Sequence, residues 1–244
     1  MKTNNFPDKK SIALLLDPDK AKGDSLVNIL KIAVDSNVDY ILAGGSITFN
    51  SIDTLIENIK ELCSIPVILF PGNLLQLTRN ADTILLLSLI SGRNPELLIG
   101  NHVIAAPYLK DVKDKLLPVG YILISCGNKT SVEYISQTEA IPGDKPDIVV
   151  ATALAGEMLG LKMIYLEAGS GASNPVPISI VKAVRENVSI PLTVGGGIKT
   201  ANEVEDIFNA GADMIILGNG VEKNPQLLKK ACKIRDSLRN PFIT

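Results

Sequence analysis

TILLLSLI, residues 83–90, is the longest unbroken apolar stretch of the chain. A membrane-spanning helix needs roughly 20 such residues, so this stretch is too short to cross a bilayer. Nor does it alternate with polar residues, as a strand with one wet face would. It therefore reads as a β-strand covered on both sides, the mark of a parallel sheet packed between layers. Seven further runs share its character: SIALLLDPD (11–19), YILAGG (40–45), PVILFPG (66–72), VGYILIS (119–125), MIYLEAG (163–169), PLTVGGG (191–197) and MIILGNG (214–220).

Amphipathic segments with recognisable ends lie between these runs. Helices are predicted over 24–36, 51–63, 95–110, 147–159, 177–187, 201–210 and 225–238. Thr130 with Glu133, and Thr200 with Glu203, have the spacing of a capping box, in which each side chain satisfies a free amide of the first turn. NLLQLTRNAD (73–82) is too short for a helix of its own. An eightfold β/α alternation with one reduced connection predicts a modified TIM (β/α)8 barrel, with an open doubly wound sheet as the competing arrangement. No Pro/Gly/Ser-rich linker divides residues 1–244, so a single domain is expected. SQTEAIPGDKP (136–146) reads as an elaboration over the barrel mouth.

Composition narrows the function. With 24 basic and 26 acidic residues the net charge is −2, which offers no footprint for nucleic acid. Cys63, Cys126 and Cys232 are far apart and match no metal-ligand spacing, so a reducing, cytoplasmic setting is expected. The polar start MKTNNFPDKK lacks the apolar core of a signal peptide. Lys229, Lys230, Lys233, Arg235 and Arg239 make the last helix basic, ordinarily a solvated face.

In a barrel, chemistry sits where strands end and βα loops begin. Those ends carry Asp17-Pro18-Asp19, Gly44-Gly45-Ser46, Glu167 with Gly169-Ser170-Gly171, Gly195-Gly196-Gly197, and Gly218-Asn219-Gly220. Glycine clusters on the last three strands let amides approach an anion closely, and they predict a phosphate site; the plainer role of each cluster is a tight turn. Asp17 and Ser46, oxygen donors on neighbouring strands, suit Mg²⁺. Glu167 ends an apolar strand, where burial raises a carboxyl's pKa and makes it a proton acceptor near neutrality. Tyr165 offers either a core ring or a hydroxyl for a phosphate. His102, the one histidine, falls within a helix pattern and away from any strand end, which fits packing better than catalysis.

LLLDPDK (14–20), LAGGSIT (42–48), YLEAGSGA (165–172), TVGGGIKT (193–200) and ILGNG (216–220), in this order, resemble the geranylgeranylglyceryl phosphate synthase family, which includes the bacterial heptaprenylglyceryl phosphate synthases. Some members carry lysine two residues before the aspartate. Leu15 stands there in this chain, a form similar to the second phylogenetic group. The resemblance implies a barrel with one helix replaced by a strand-like segment. It also implies that sn-glycerol 1-phosphate attacks a polyprenyl diphosphate, geranylgeranyl diphosphate above all, with Glu167 as base and Asp17 and Ser46 holding Mg²⁺. Tyr165, Leu166, Glu167, Ala168, Gly169, Ser170, Gly171, Gly196, Gly197, Gly218 and Asn219 would hold glycerol phosphate. A homo-oligomer and peripheral contact with membranes are further implications. The prenyl tail is expected against aliphatic residues of 74–77, 103–108 and 119–123. The alternative is a phosphosugar isomerase or lyase on the same kind of phosphate cup.

Overall fold

The computed structural model describes Pro7 and residues 9–239; most of the polar N-terminal stretch lies outside them. Eight parallel strands close into a barrel: β1 (Ser11–Leu16), β2 (Tyr40–Ala43), β3 (Val67–Leu69), β4 (Thr83–Leu89), β5 (Leu116–Ser125), β6 (Met163–Glu167), β7 (Leu192–Gly195) and β8 (Met214–Leu217). Each pairs with its neighbours in sequence. β8 returns to β1 through Ser11↔Met214, and six register pairs from Ile84↔Leu116 to Leu89↔Tyr121 join the two halves. The open doubly wound alternative is thereby excluded. The stretch at 83–90 is a central strand of this cylinder, as its apolarity requires.

Helices follow the strands: α1 (Asp24–Asp35), α2 (Ile52–Leu62), α3 (Asn101–Leu109), α4 (Ser131–Ser136), α5 (Pro146–Met158), α6 (Ile178–Asn187), α7 (Ala201–Asn209), α8 (Asn219–Lys223) and α9 (Gln226–Arg239). Both capping boxes form. Glu133 accepts the Thr130 amide at 2.8 Å and Glu203 that of Thr200 at 2.8 Å. Between β3 and β4 there is a single 3₁₀ turn, Leu74–Gln76, so the reduced connection sits where the sequence placed it. A wide turn over Glu96–Gly100 leads into α3. The loop after β5 adds a two-residue strand, Ile141–Pro142, beside the end of β5. Among the described residues no helix is long and apolar enough to cross a membrane.

Apolar side chains fill two layers. One lies between strands and helices and includes Leu14, Ile41, Ile56, Ile164 and Leu166. The other fills the barrel itself, with Ala13, Leu42, Ile68, Leu85, Tyr121, Tyr165 and Ile216.

The floor of the barrel is held by a repeated device. Asp39, Asp82 and Asp213 each immediately precede a strand and accept the first amides of its neighbour: Ile12 at 2.9 Å, Val67 at 2.8 Å and Leu192 at 2.8 Å. Each aspartate also takes a cation: Asp39 binds Arg235 and Arg239 at 2.6 Å, Asp82 binds Lys60 at 2.7 Å, and Asp213 binds Arg185 at 3.0 Å. The reading of α9 as a uniformly solvated basic face is corrected here. Arg235 is only 1% exposed and turns inward to Asp39 and the Asn37 carbonyl.

Removing one partner of a buried, hydrogen-bonded pair leaves the other charge without compensation. Arg235→Ala is expected to cost about 3 kcal/mol of stability, the lower part of the usual range because Arg239 remains on Asp39. Urea denaturation checks this, and a midpoint equal to that of the parent chain would contradict it.

Candidate active site

Side chains alternate along a strand, so residues two apart share a face. Leu15, Ile68, Tyr165 and Ile216 belong to the barrel interior. The same phase therefore carries Asp17, Phe70, Glu167 and Gly218 to the inner rim of the C-terminal end. There Glu167 is 6% exposed, and its Oε1 accepts the amide of Gly169 at 2.6 Å. Burial raises its pKa, while the Tyr165 phenol and the Gly169 amide, both donating to it, oppose the rise. Tyr165 is fully enclosed, edge-on to Tyr121 with centroids 5.1 Å apart and 5.8 Å from Phe70. Burial and the neighbouring glutamate push the phenols of Tyr121 and Tyr165 well up, so both stay protonated as donors. The same two causes push the Cys126 thiol up to about 12, which makes it inert rather than nucleophilic.

The glycine triplet has a separate reason at each position. A Cβ on Gly195 would lie 2.4 Å from the Tyr165 hydroxyl, and one on Gly196 2.3 Å from Glu167 Oε1. Gly197, at φ +70°, would strike the Asn174 carbonyl at 2.1 Å. The turn after β7 thus yields space to β6 and the loop that follows it.

The YLEAGSGA stretch divides by face. Leu166 and Ala168 are buried in the layer between strands and helices, and the Ala168 amide donates to the Gly195 carbonyl at 3.0 Å. With the Gly169 amide held by Glu167, Ser170 and Gly171 are the exposed residues of the turn. Asn219 Nδ2 donates to Ser170 Oγ at 3.1 Å, bridging the loops after β6 and β8. Lys20 Nζ donates to Asn219 Oδ1 at 3.2 Å and pairs with Glu222 at 3.0 Å, bringing a cation to a cup where Leu15 supplies none.

Across the rim, Asp17 Oδ1 accepts the Asp19 amide at 2.9 Å while its carboxylate lies against Gly45. Among the described residues no group of three His, Cys, Asp or Glu gathers as a metal cage. One carboxylate beside the Ser46 hydroxyl fits a hard cation that keeps waters and takes its remaining oxygens from a phosphate substrate.

From Ser46 an apolar trench of about 1010 Å³, including its open mouth, runs between the loops after β2, β3 and β5 and the inner face of α3. Leu74, Leu77, Leu87, Leu97, Ala105 and Tyr121 line it. The expected lining is corrected in part: Val103 and Ile104 face outward, each 64% exposed, and Val119 and Leu123 fill the barrel. Two polar residues missed from sequence shape the trench. Gln76, 4% exposed, donates to the Gly45 carbonyl at 2.8 Å and accepts the Gly72 amide at 2.9 Å, tying two loops together. His102 lines the trench and sets its ring nitrogens 2.9 Å from the Leu87 carbonyl and 3.1 Å from that of Leu98, pinning α3 to β4. Its helix position matched the packing role; its place on the trench wall carried no sequence signal.

Comparison with known proteins follows the same outline. The PcrB family profile matches residues 6–235. The chain is 50% identical over 227 residues to the geranylgeranylglyceryl phosphate synthase of Spirosoma linguale, covering 93% of this chain and 91% of that one. Against the enzyme of the same name from Pyrococcus horikoshii the figures are 36%, 95% and 91%. The crystal structure of (S)-3-O-geranylgeranylglyceryl phosphate synthase from Thermoplasma acidophilum, in complex with sn-glycerol-1-phosphate, superposes with a TM-score of 0.87 at 31% identity over 94% of each chain. An N-acetylmannosamine-6-phosphate 2-epimerase from Clostridium perfringens, at 14% identity and a TM-score of 0.58 over 93% of each chain, shares the barrel alone.

The raised pKa of Glu167 has a stability consequence of definite sign. A carboxyl whose folded pKa exceeds its unfolded value carries no penalty at pH below the unfolded value. The penalty grows as pH rises through the folded pKa and is complete above it. Glu167→Gln keeps an oxygen for the Gly169 amide and removes the buried charge. Its urea midpoint is expected to exceed that of the parent at pH 8 and to converge on it in acid. A variant less stable at pH 8 would contradict this.

Proposed function

The chain belongs to the PcrB family, and from that membership, shared with geranylgeranylglyceryl phosphate synthases, we propose that it joins the C3 hydroxyl of sn-glycerol 1-phosphate to a polyprenyl diphosphate, most simply geranylgeranyl diphosphate, as an ether. It is a prenyl-transferring enzyme. One observation carries the finer reading: a buried glutamate stands between a small polar cup and a long apolar trench at one barrel mouth. A phosphosugar isomerase or lyase would use the cup and leave the trench without a purpose.

In this reading Ser170, Gly171, Gly196, Gly197, Gly218 and Asn219 border the phosphate of glycerol phosphate, with Lys20 as the nearest cation. Its C3 hydroxyl faces Glu167, held in place by the Gly169 amide and Tyr165. Asp17 and Ser46 would hold Mg²⁺, which when bound neutralises charge on the departing diphosphate. The C3 oxygen bonds to C1 of the prenyl chain, the C1–O bond to diphosphate breaks with its electron pair leaving on diphosphate, and the hydroxyl proton passes to Glu167. The trench holds the prenyl tail and keeps water from the allylic carbon.

The test incubates the protein with labelled sn-glycerol 1-phosphate, Mg²⁺ and prenyl diphosphates of graded length. A lipid-soluble product is expected, and its absence with every chain would sink the reading. Glu167→Gln should lose about 10²–10⁴-fold in turnover while still binding glycerol phosphate; unchanged turnover would remove Glu167 from the base role. Because the base must be ionised, kcat/KM should rise with pH through the raised pKa of Glu167. Asp17→Asn should need more Mg²⁺ for half-maximal rate, and an unmoved metal titration would argue against Asp17 as a ligand.

A further inference from the structure

The barrel mouth is apolar on one side. Phe49 is 92% exposed, Leu75 96% and Tyr134 83%, standing on the loops after β2, β3 and β5. Each adjoins the trench in sequence: Ser46 precedes the Ile47–Phe49 segment, Leu74 precedes Leu75, and Ile135 follows Tyr134. The backbone beneath them is pinned. Asp19 accepts the amides of Phe49 at 3.0 Å and Asn50 at 2.8 Å, and Asn73 accepts that of Leu75 at 2.9 Å. The loops after β7 and β8, by contrast, present Lys199, Thr200 and Asn219, and the one large exposed apolar residue on that side of the mouth among those described is Ile178 at the start of α6.

Large apolar side chains held out from fixed loops mark a surface meant to be covered. We propose that this arc docks on a lipid bilayer, with Phe49, Leu75 and Tyr134 seated at the headgroup–hydrocarbon boundary and the trench opening toward the lipid. The proposal rests on the prenyl reading in one respect: a polyprenyl chain dissolved in the bilayer would pass into the trench without crossing water, while the polar half of the mouth admits glycerol phosphate from solution. A second copy of the chain seated on the arc would close the trench. Charge has little part in the attachment. On the loops after β1 and β5, Lys20, Lys22, Lys129 and Lys145 are offset by Asp17, Asp19, Glu133, Glu139 and Asp144. Insertion of apolar side chains is the driving term.

The chain has no tryptophan, so Phe49→Trp and Leu75→Trp each create a single emitter. With phosphatidylcholine vesicles, with or without phosphatidylglycerol, the emission of both should shift to the blue and be quenched by brominated lipid. The parent protein should co-sediment with either vesicle, including in about 0.5 M salt. The triple variant Phe49→Ser/Leu75→Ser/Tyr134→Ser should partition at least about tenfold less, yet turn over a short, water-soluble allylic diphosphate at the parent rate. Failure of the parent to co-sediment, unshifted tryptophan emission, or undiminished binding by the triple variant would overturn the proposal. So would a change of oligomeric state in the triple variant without vesicles, which would assign the arc to a second copy. If the parent binds vesicles but turns over no prenyl diphosphate, the prenyl reading fails and the docking surface stands.

Discussion

Pairing of β4 with β5 closes the sheet, and the position of every site residue follows from that closure. In a closed parallel cylinder each strand has one face to the axis and one to the helices, so register decides which residue of each strand end looks inward. A one-residue slip would turn Glu167 toward the helices and bring Leu166 to the axis. The three aspartates at the opposite end oppose such slips, since each fastens the first amide of one strand to the start of the next. Order at the floor thus secures geometry at the mouth.

Glu167 shows why a buried carboxyl suits proton transfer. Burial alone would neutralise it and leave it unable to accept a proton. The Gly169 amide and the Tyr165 phenol stabilise the ionised form enough to offset part of that effect. The two buried tyrosines hold their own protons tightly, so they donate hydrogen bonds without competing for the substrate's proton. Polar cup and apolar trench meet at this carboxyl, and neither would be built for the other's ligand.

Much of the architecture could be read from the chain because apolar runs, capping boxes and glycine clusters are local signals. The short connection at 73–82 and the inward turn of Glu167 are of that kind. What stayed hidden has a common cause. A strand covered on both faces is apolar throughout and lacks the period-two pattern that separates axis-facing from helix-facing positions. Val119 and Leu123 were therefore placed in the trench, though they fill the barrel, and Leu166 and Ala168 were grouped with the glycerol phosphate contacts although both are packed behind the sheet. Arg235 was read as solvated because its partner Asp39 lies 196 residues away. The trench itself gathers residues from four connections that only closure brings together.

The fit between β6 and the turn after β7 bears on how this sequence can change over time. Tyr165 and Glu167 occupy the space that side chains at 195 and 196 would need. Alanine at either glycine is hostile only while its opposite number is present, so the energetic effects of the two stretches do not add. Neither YLE nor GGG can drift alone; a lineage keeps both, or relaxes both after the chemistry has gone. The two motifs are one inherited object met twice along the chain, and this is why their combination identifies the family when a run of glycines by itself would not.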